Sequence, residues 1–160
     1  MSHYKRAGAI ILNNTLDKCL MVFQKSSSYW GIPKGSKLNN NEDNFICMVR
    51  EVKEEVGLDL NHIKFEVLGN VTVHSESCIY ILKIFLDPLP ICSPPLEDGN
   101  ENHEIEKVEW VELDDAYSRK NNSITRNALF KLKKCLSKKK IDILSNNYNY
   151  NLIINESKLY

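Results

Sequence analysis

Residues 35–58 read GSKLNNNEDNFICMVREVKEEVGL, and this stretch is the most informative part of the sequence. Its second half predicts an α-helix over residues 42–56, because apolar side chains recur at the spacing that places them on one helical face. Gly57 follows directly and is typical of a helix C-terminus. The predicted apolar stripe consists of Phe45, Val49, Val52 and Val56.

Three glutamates occupy a different arc of the same predicted helix. At ~100° per residue, Glu51, Glu54 and Glu55 lie within an arc of about 100° that is separate from the apolar stripe. Like charges at this spacing destabilise a helix by about 0.2–0.5 kcal/mol per pair, so a compensating charge is expected. Mg²⁺ or Mn²⁺ would supply it, because hard cations accept several carboxylate ligands. The alternative is that the glutamates only solvate an exposed face.

The residues of this stretch resemble the Nudix box, in which Gly, five residues, Glu and seven residues precede Arg-Glu-apolar-x-Glu-Glu-x-Gly-apolar. Seven residues separate Glu42 from Arg50, as the pattern requires. Gly35 and Glu42 are separated by six residues, which indicates a one-residue insertion in the Asn-rich loop 39–41. The second half matches at Arg50, Glu51, Val52, Glu54, Glu55, Gly57 and Leu58.

The resemblance extends over about residues 4–136 and implies an α/β/α sandwich with a mixed β-sheet. We therefore expect a Nudix domain over residues 1–140, with a basic C-terminal helix and an Asn- and Tyr-rich tail over residues 141–160. The tail is either disordered or an edge strand. Residues 30–35, WGIPKG, predict a rigid loop, and Ser123 is the expected N-cap of the last helix. Apolar patterns predict strands over 6–12, 19–24, 65–73, 78–86 and 105–111, and a short helix over 114–118.

The resemblance also implies an activity, the hydrolysis of a nucleoside diphosphate linked to another group, with Mg²⁺ or Mn²⁺ as cofactor. It makes Glu51, Glu54 and Glu55 the metal ligands, with Glu54 also in a catalytic role. Arg50 would orient a neighbouring glutamate through a charge-assisted hydrogen bond. Glu42 would support the junction of loop and helix or an outer water molecule, and Gly35 and Gly57 would be structural residues of the motif.

A general base is expected from a later loop, as in many members of the family. Such a base takes a proton from a water molecule that the metal has made more acidic. Glu104 is the first choice because it immediately precedes the predicted strand over residues 105–111, and Glu101 and Glu106 are the alternatives. The segment is otherwise a solvated acidic loop.

Substrate choice lies outside the box. The runs WGIPKG, REVKEEVGLDL and EIEKVEW resemble mRNA-decapping Nudix enzymes, which implies release of 7-methyl-GDP from capped RNA. The run Asn102-His103-Glu104 also fits hydrolases of diadenosine tetraphosphate, and diphosphoinositol polyphosphates form a third substrate class. Lys34 and Tyr29 are candidate substrate contacts. A Nudix-fold binding module without catalysis is the alternative of a different class.

The charge pattern predicts a second contact with RNA. The chain has 21 Lys and Arg against 21 Asp and Glu, which excludes a uniformly basic nucleic-acid binder. Residues 119–140, however, hold nine basic and no acidic side chains. In decapping enzymes a basic helix after the core helps hold RNA, and Lys131, Lys133 and Lys134 are the candidates here. The alternative is a solvated amphipathic helix.

Composition also predicts the compartment. The five cysteines are odd in number and form no C-x-x-C pair, so neither a zinc cage nor a disulfide framework is indicated. The N-terminus lacks the apolar run of a signal peptide, and no apolar stretch approaches the length that spans a bilayer. We therefore expect a reducing, cytoplasmic location, with neither a membrane nor DNA as partner.

Overall fold

The fold is built on one mixed β-sheet with helices on both of its faces. The computed structural model describes residues 4–85 and 104–137. Within these residues the order of elements is β1 (Arg6–Leu12), β2 (Lys18–Gln24), β3 (Tyr29–Gly31), β4 (Lys34–Ser36), α1 (Asn44–Val56), β5 (Phe65–Val73), β6 (Ser77–Ile84), β7 (Ile105–Glu112), α2 (Leu113–Ser118) and α3 (Ser123–Ser137).

Strands β1 and β2 form a fork that creates the space for a cleft. They pair only near their connecting turn, where Leu12 lies opposite Cys19. Beyond that point β1 pairs in parallel with β6 and antiparallel with β4, whereas β2 pairs antiparallel with β3 and β7. The hairpin that the sequence suggests therefore exists only at its closed end. Its open end, at Arg6 and Gln24, spreads apart because each strand has other partners.

Alternation along β1 produces the two cores of the sandwich. Ala7, Ala9 and Ile11 are fully buried in the cluster that α1 covers, together with Val52 and Val56. Ile10 and Leu12 point the other way, into the cluster that α2 and α3 cover. A strand with both faces apolar must be covered on both sides, which explains the three-layer arrangement. The predicted α/β/α sandwich with a mixed sheet is confirmed.

Helix α1 is fixed at both ends by local hydrogen bonds. The Asp43 carboxylate accepts hydrogen bonds from the backbone N–H groups of Phe45 (2.8 Å) and Ile46 (3.3 Å). At the other end Gly57 adopts φ 71° and donates its N–H to Lys53 O at 3.0 Å. The helix thus begins at Asn44, and the predicted start at residue 42 was wrong, because the extended backbone of Asp43 makes it the N-cap.

Removing this N-cap should weaken the fold without touching the cleft. We expect Asp43→Ala to lower the free energy of unfolding by about 1 kcal/mol, because two helix N–H groups lose their acceptor. Urea denaturation measures the loss. Asp43→Ser, which retains a capping oxygen, is the control, and equal losses in both variants would contradict the capping role.

Three other local predictions need correction. Residues 30–35 form parts of two short strands, β3 and β4, because the fork offers each of them an open strand edge. Strand β6 ends at Ile84 rather than residue 86. The N-cap of α3 is Asn122, whose Oδ1 accepts from Thr125 N at 2.9 Å, whereas the Ser123 hydroxyl lies 3.0 Å from His74 Nε2.

The remaining expectations concern the cysteines, the C-terminal segment and membrane-spanning helices. Cys19, Cys47 and Cys78 are buried, and Cys135 is half-buried, as expected of small apolar side chains. Cys92, the lysines at 138–140 and the predicted tail over residues 141–160 lie outside the described residues. No helix within residues 4–85 and 104–137 is both long and apolar enough to cross a membrane.

Candidate active site

A cleft of about 560 Å³ opens in the fork between β1 and β2. Its walls come from β2, β3, β4, α1, the start of β7 and the residue before α3. Four carboxylates line it, and these are Glu51, Glu54, Glu55 and Glu104. Gly35 and the backbone of Lys34 form the part of the wall that lies against the glutamates of α1. The short strand β4 therefore brings the glycine of the motif next to the helix of the motif.

Glu55 is the most buried carboxylate of the cleft, with 5% of its surface exposed. Its Oε2 accepts a hydrogen bond from Lys34 N at 3.1 Å. Burial and the charge of Glu51 together raise the pKa of Glu55 to about 9, although the Lys34 N–H and ammonium lower it in part. The metal-free protein therefore keeps Glu55 largely protonated at neutral pH.

Glu51 lies against the backbone of Gly35. A Cβ placed on Gly35 would be 2.2 Å from the Glu51 carboxyl carbon, so only glycine leaves room for this carboxylate. Arg50 Nη1 donates to Glu51 Oε1 at 2.8 Å. Burial raises the pKa of Glu51 to about 7 although the Arg50 charge lowers it. The alternative, that the glutamates only solvate an exposed face, is wrong for Glu51 and Glu55, because β4 covers that part of α1.

Arg50 connects the helix to the loop that precedes it. Its Nε and Nη2 donate to the two carboxylate oxygens of Glu42, each at 3.0 Å, and Nη2 also donates to Ser36 O at 2.9 Å. Nη1 reaches Glu54 Oε2 at 3.3 Å. The Arg50 guanidinium holds the pKa of Glu42 below its usual value. Glu42 thus lies at the junction of loop and helix, where the motif predicts a supporting residue.

The Asn-rich insertion leaves this junction intact. Leu38 N donates to Glu42 Oε1 at 3.1 Å, and Glu42 N donates to Asn39 O at 3.2 Å. Asn41 N donates to the Asn39 side chain at 2.8 Å. The loop 39–41 closes on itself through these bonds. The extra residue is accommodated on the surface, and Glu42 still reaches Arg50.

The donor set suits a hard divalent cation, although the side chains are not gathered around one. In the part of the chain that the structure describes, no group of three or more His, Cys, Asp or Glu is arranged to hold a metal ion. Arg50 binds Glu51 and Glu54, and Glu55 is turned to Lys34 N. Buried carboxylates that repel one another are nevertheless the ligands that Mg²⁺ or Mn²⁺ stabilises best. We expect metal binding to require rotation of Glu54 away from Arg50.

Glu104 immediately precedes β7 and lines the same cleft as these carboxylates. Its negative charge contributes to the raised pKa of both Glu51 and Glu55. Glu106 is exposed on β7 and does not line the cleft, and Glu101 lies outside the described residues. The choice of Glu104 as general base stays a prediction.

The predicted substrate contacts fall in two regions. Lys34 lines the cleft, whereas Tyr29 lies beside it on β3, with Lys120 Nζ 4.8 Å from its ring centre. The basic residues of α3 do not form one row. Lys131 Nζ donates to Thr72 O on one flank, and Lys133 Nζ lies 5.1 Å from the Tyr117 ring on the other. Lys134 Nζ lies 4.6 Å from the Phe130 ring.

Sequence reasoning missed four residues that line the cleft. Arg6, Gln24 and Asn122 come from segments far from the box, whereas Lys37 lies within it, two residues after Gly35. The pairing of β1 with β4 brings Arg6 opposite Ser36, next to Lys37. Asn122 enters the wall because Asn122 N donates to Trp30 O at 2.9 Å. Its capping side chain was the one available signal in the sequence, and that role was assigned to Ser123.

The layered sheet and the carboxylate-lined cleft define an α/β/α sandwich domain in which α1 contributes three glutamates to the cleft. The chain belongs to the Nudix family, since the NUDIX domain matches residues 3–132. The predicted family and fold are thereby confirmed.

Two relatives are similar to most of this chain. The chain is 32% identical over 117 residues to mRNA decapping complex subunit 2 of Schizosaccharomyces pombe, covering 72% of this chain and 15% of that protein. It is 31% identical over 132 residues to Nudix hydrolase 10 of Arabidopsis thaliana, covering 81% and 44%. The chain thus spans less than half the length of these relatives. Their names support the prediction of a hydrolase.

Solved structures agree on the fold. A crystal structure of a C. elegans Ap4A hydrolase in a binary complex matches with a TM-score of 0.61 and 20% sequence identity, covering 84% of this chain and 99% of that chain. At this identity the likeness concerns the fold alone.

Proposed function

We propose that the chain is a divalent-metal-dependent Nudix hydrolase of phosphoric anhydrides, and that its substrate is capped mRNA, from which it releases 7-methyl-GDP. The observation that carries the hydrolase is the placement of buried Glu51 and Glu55 beside Glu54 in a cleft that Glu104 also lines. Burying such carboxylates together costs stability unless a cation compensates for them.

The residues of the chain divide the work of hydrolysis among them. Glu51, Glu54 and Glu55 would hold Mg²⁺ or Mn²⁺, which neutralises phosphate oxygens and makes a bound water molecule acidic. Glu104, which lines the same cleft, would accept the proton of the attacking water. Arg50 keeps the Glu51 carboxylate oriented through the 2.8 Å hydrogen bond, and Glu42 in turn holds Arg50. Gly35 leaves the space in which Glu51 lies.

Capped mRNA is supported by the resemblance to decapping subunits and by the basic helix. Lys131 lies nine residues after Asn122, which corresponds to about 14 Å along the axis of α3. The lysines would therefore contact phosphates further along the RNA than the linkage that is cleaved. For this substrate we propose a cytoplasmic location. Diadenosine tetraphosphate is the second candidate, because the run that ends in Glu104 fits that group, and diphosphoinositol polyphosphates are the third.

A substrate panel tests the proposal. Capped RNA, diadenosine tetraphosphate and a diphosphoinositol polyphosphate are incubated with the protein under Mg²⁺ and Mn²⁺, and products are separated by chromatography. We expect 7-methyl-GDP from capped RNA at the highest kcat/KM. Cleavage of diadenosine tetraphosphate alone would reject decapping. Absence of cleavage on all three substrates would favour a binding module.

The basic face of α3 should contribute to RNA affinity without reading sequence. We expect Lys133→Ala with Lys134→Ala to weaken RNA binding evenly across sequences and to reduce the salt slope of log Kd by about 2, since each lost phosphate contact releases about one fewer counterion. Fluorescence anisotropy at several salt concentrations measures this. Lys18→Ala, at the far end of β2 beside Glu112, is the control. Unchanged affinity at low salt would reject the RNA contact.

Metal affinity should rise with pH. In the metal-free protein the pKa values of Glu51 and Glu55 are raised to about 7 and about 9, so a metal ion must displace protons to bind. Between pH 7 and pH 9, where Glu55 is still protonated, we expect Kd for Mg²⁺ to fall by about tenfold per pH unit. Calorimetry in buffers of different ionisation enthalpy measures Kd and proton release together. A Kd independent of pH over this range would contradict the assignment.

A further inference from the structure

One short piece of chain contacts both α3 and the glutamates of α1. Residues 29–36, the β3–β4 segment, pair with β2 through β3 and with β1 through β4, so they bridge the two strands of the fork. In the middle of the segment Ile32 is buried in the cluster that α2 and α3 cover. Two residues further on, Lys34 N donates to Glu55 Oε2 at 3.1 Å, and the segment also lies against Glu51. A displacement at Ile32 would therefore reach two carboxylates of the cleft.

Thr125 of α3 supplies the acceptor that fixes the middle of this segment. Its hydroxyl oxygen accepts a hydrogen bond from Ile32 N at 3.0 Å, across 93 positions of the chain, and Thr125 is fully buried. The approach is close, because a Cβ on Gly31 would lie 3.2 Å from Thr125 Oγ1. A buried N–H group without an acceptor costs free energy, so the Ile32 N–H has to stay within reach of this oxygen.

The stretch between Ile32 and Lys34 is short and stiff. Only Pro33 separates the two residues, and the proline ring fixes its own φ angle. Two residues span at most about 7 Å, even when fully extended. Pro33 O accepts from Ala9 N at 3.0 Å, which attaches the stretch to β1. This attachment and the Thr125 hydroxyl together fix the orientation in which the Lys34 N–H points to its acceptor.

We propose that Thr125 is a positioning residue for the hydrolase, because its hydroxyl sets the position of the β3–β4 segment and thereby that of Glu51 and Glu55. Thr125 does not line the cleft, so it acts only through the segment. This inference rests on the proposed function, in which the two glutamates hold the cation, and it adds to that function a residue of α3, outside the motif. A misplacement of about 1 Å near reacting groups can lower a rate by about a hundredfold.

Two pairs of variants isolate the hydroxyl. Thr125→Val keeps a branched side chain without the oxygen, whereas Thr125→Ser keeps the oxygen without the methyl group. Thr125→Ala and Thr125→Ser differ only in the oxygen, and alanine favours the helix, so this pair decides the result if the valine variant does not fold. We expect kcat to fall by about tenfold or more in the valine and alanine variants, with KM changed by less than about threefold. The serine variant should retain kcat within about threefold of the parent protein.

Two further measurements give readouts that a purely structural hydroxyl would not change. In calorimetry, Mg²⁺ should bind about tenfold more weakly to Thr125→Ala than to Thr125→Ser. In the metal-free protein, the Lys34 N–H should exchange with solvent about tenfold faster in the alanine variant, relative to the amides of β6, which report on global stability. The matched control is Thr72→Val, which removes the hydroxyl that contacts Tyr4 on β5, outside the cleft, and should change neither quantity.

The failure of the inference and that of the proposed function give different results. A protein that cleaves the substrate panel, but whose alanine and serine variants share the same kcat, Mg²⁺ affinity and Lys34 exchange, retains the proposed function and overturns the inference. A protein that cleaves nothing, but whose Mg²⁺ affinity and Lys34 exchange depend on the Thr125 hydroxyl, loses the hydrolase proposal and retains the positioning of the carboxylates from α3.

Discussion

Replacing Glu55 with glutamine is expected to lower kcat by at least about a hundredfold on every phosphoric anhydride that the protein cleaves. The substitution removes one negative oxygen from the carboxylate set that would hold Mg²⁺ or Mn²⁺. Steady-state kinetics at saturating Mg²⁺ measures kcat, and calorimetry measures the accompanying loss of metal affinity. A decrease of less than about tenfold, or about 1.4 kcal/mol, would contradict the assignment of Glu55 as a ligand.

The fold should survive this change, which makes the result interpretable. Burial raises the pKa of Glu55 to about 9, so glutamine resembles the protonated side chain that the metal-free protein already contains at neutral pH. The glutamine oxygen can still accept the hydrogen bond that Lys34 N donates. We therefore expect an equal or higher free energy of unfolding without metal. Glu112→Gln, on the exposed side of β7, is the control and should leave kcat unchanged.

Gly35→Ala is expected to lower the activity by about a hundredfold or more, while the chain stays folded. The new Cβ would lie 2.2 Å from the Glu51 carboxyl carbon and 2.2 Å from Oε1. The contact involves the far end of a flexible side chain, so Glu51 moves away and the backbone stays in place. Loss of Glu51 from the cleft removes both a proposed metal ligand and its orientation by Arg50. The kinetic constants, the Kd for Mg²⁺ and the Tm are measured together.

Gly8→Ala provides the contrasting case. A Cβ on Gly8 would lie 2.5 Å from Pro33 O and 2.8 Å from Lys34 Cα, which are backbone atoms that have little freedom to move. We expect a loss of about 1–3 kcal/mol in the free energy of unfolding, because β1 and β4 can no longer pair closely. If Gly35→Ala destabilised the protein as much as Gly8→Ala while retaining its metal affinity, the role of Gly35 beside Glu51 would be wrong.

The Glu42–Arg50 pair shows how far local sequence can define a site. The resemblance assigned Glu42 to the junction of loop and helix and Arg50 to the orientation of a neighbouring glutamate, and the structure joins the two through two hydrogen bonds of 3.0 Å. The pairing was accessible from sequence because both partners belong to one loop and the helix it enters. The one-residue insertion did not prevent it, since a surface loop absorbs extra length at little cost.

Glu51 and Glu55 show where local reasoning fails. Helical periodicity grouped them on one arc with Glu54, away from the apolar stripe, but it did not predict that two of the three would be buried. Their burial comes from β4, which lies across that arc because it pairs with β1. The sequence of α1 by itself gives no indication that β4 covers the helix. The raised pKa values of the two carboxyls are a consequence of the same contact between distant segments.

The sequence alone determined the elements whose forces act within a few residues. These include the amphipathic helix α1, its Gly57 C-terminus, the carboxylate set and the alternating strands, since periodicity and capping depend on near neighbours. Only the tertiary structure decided that β1 and β2 separate into a fork and that β4 buries two of the carboxylates. It also decided that Asn122 and Gln24 line the same cleft. The physical reason is that strand pairing and burial join residues far apart in the chain, and a local sequence pattern does not identify the segment with which it pairs.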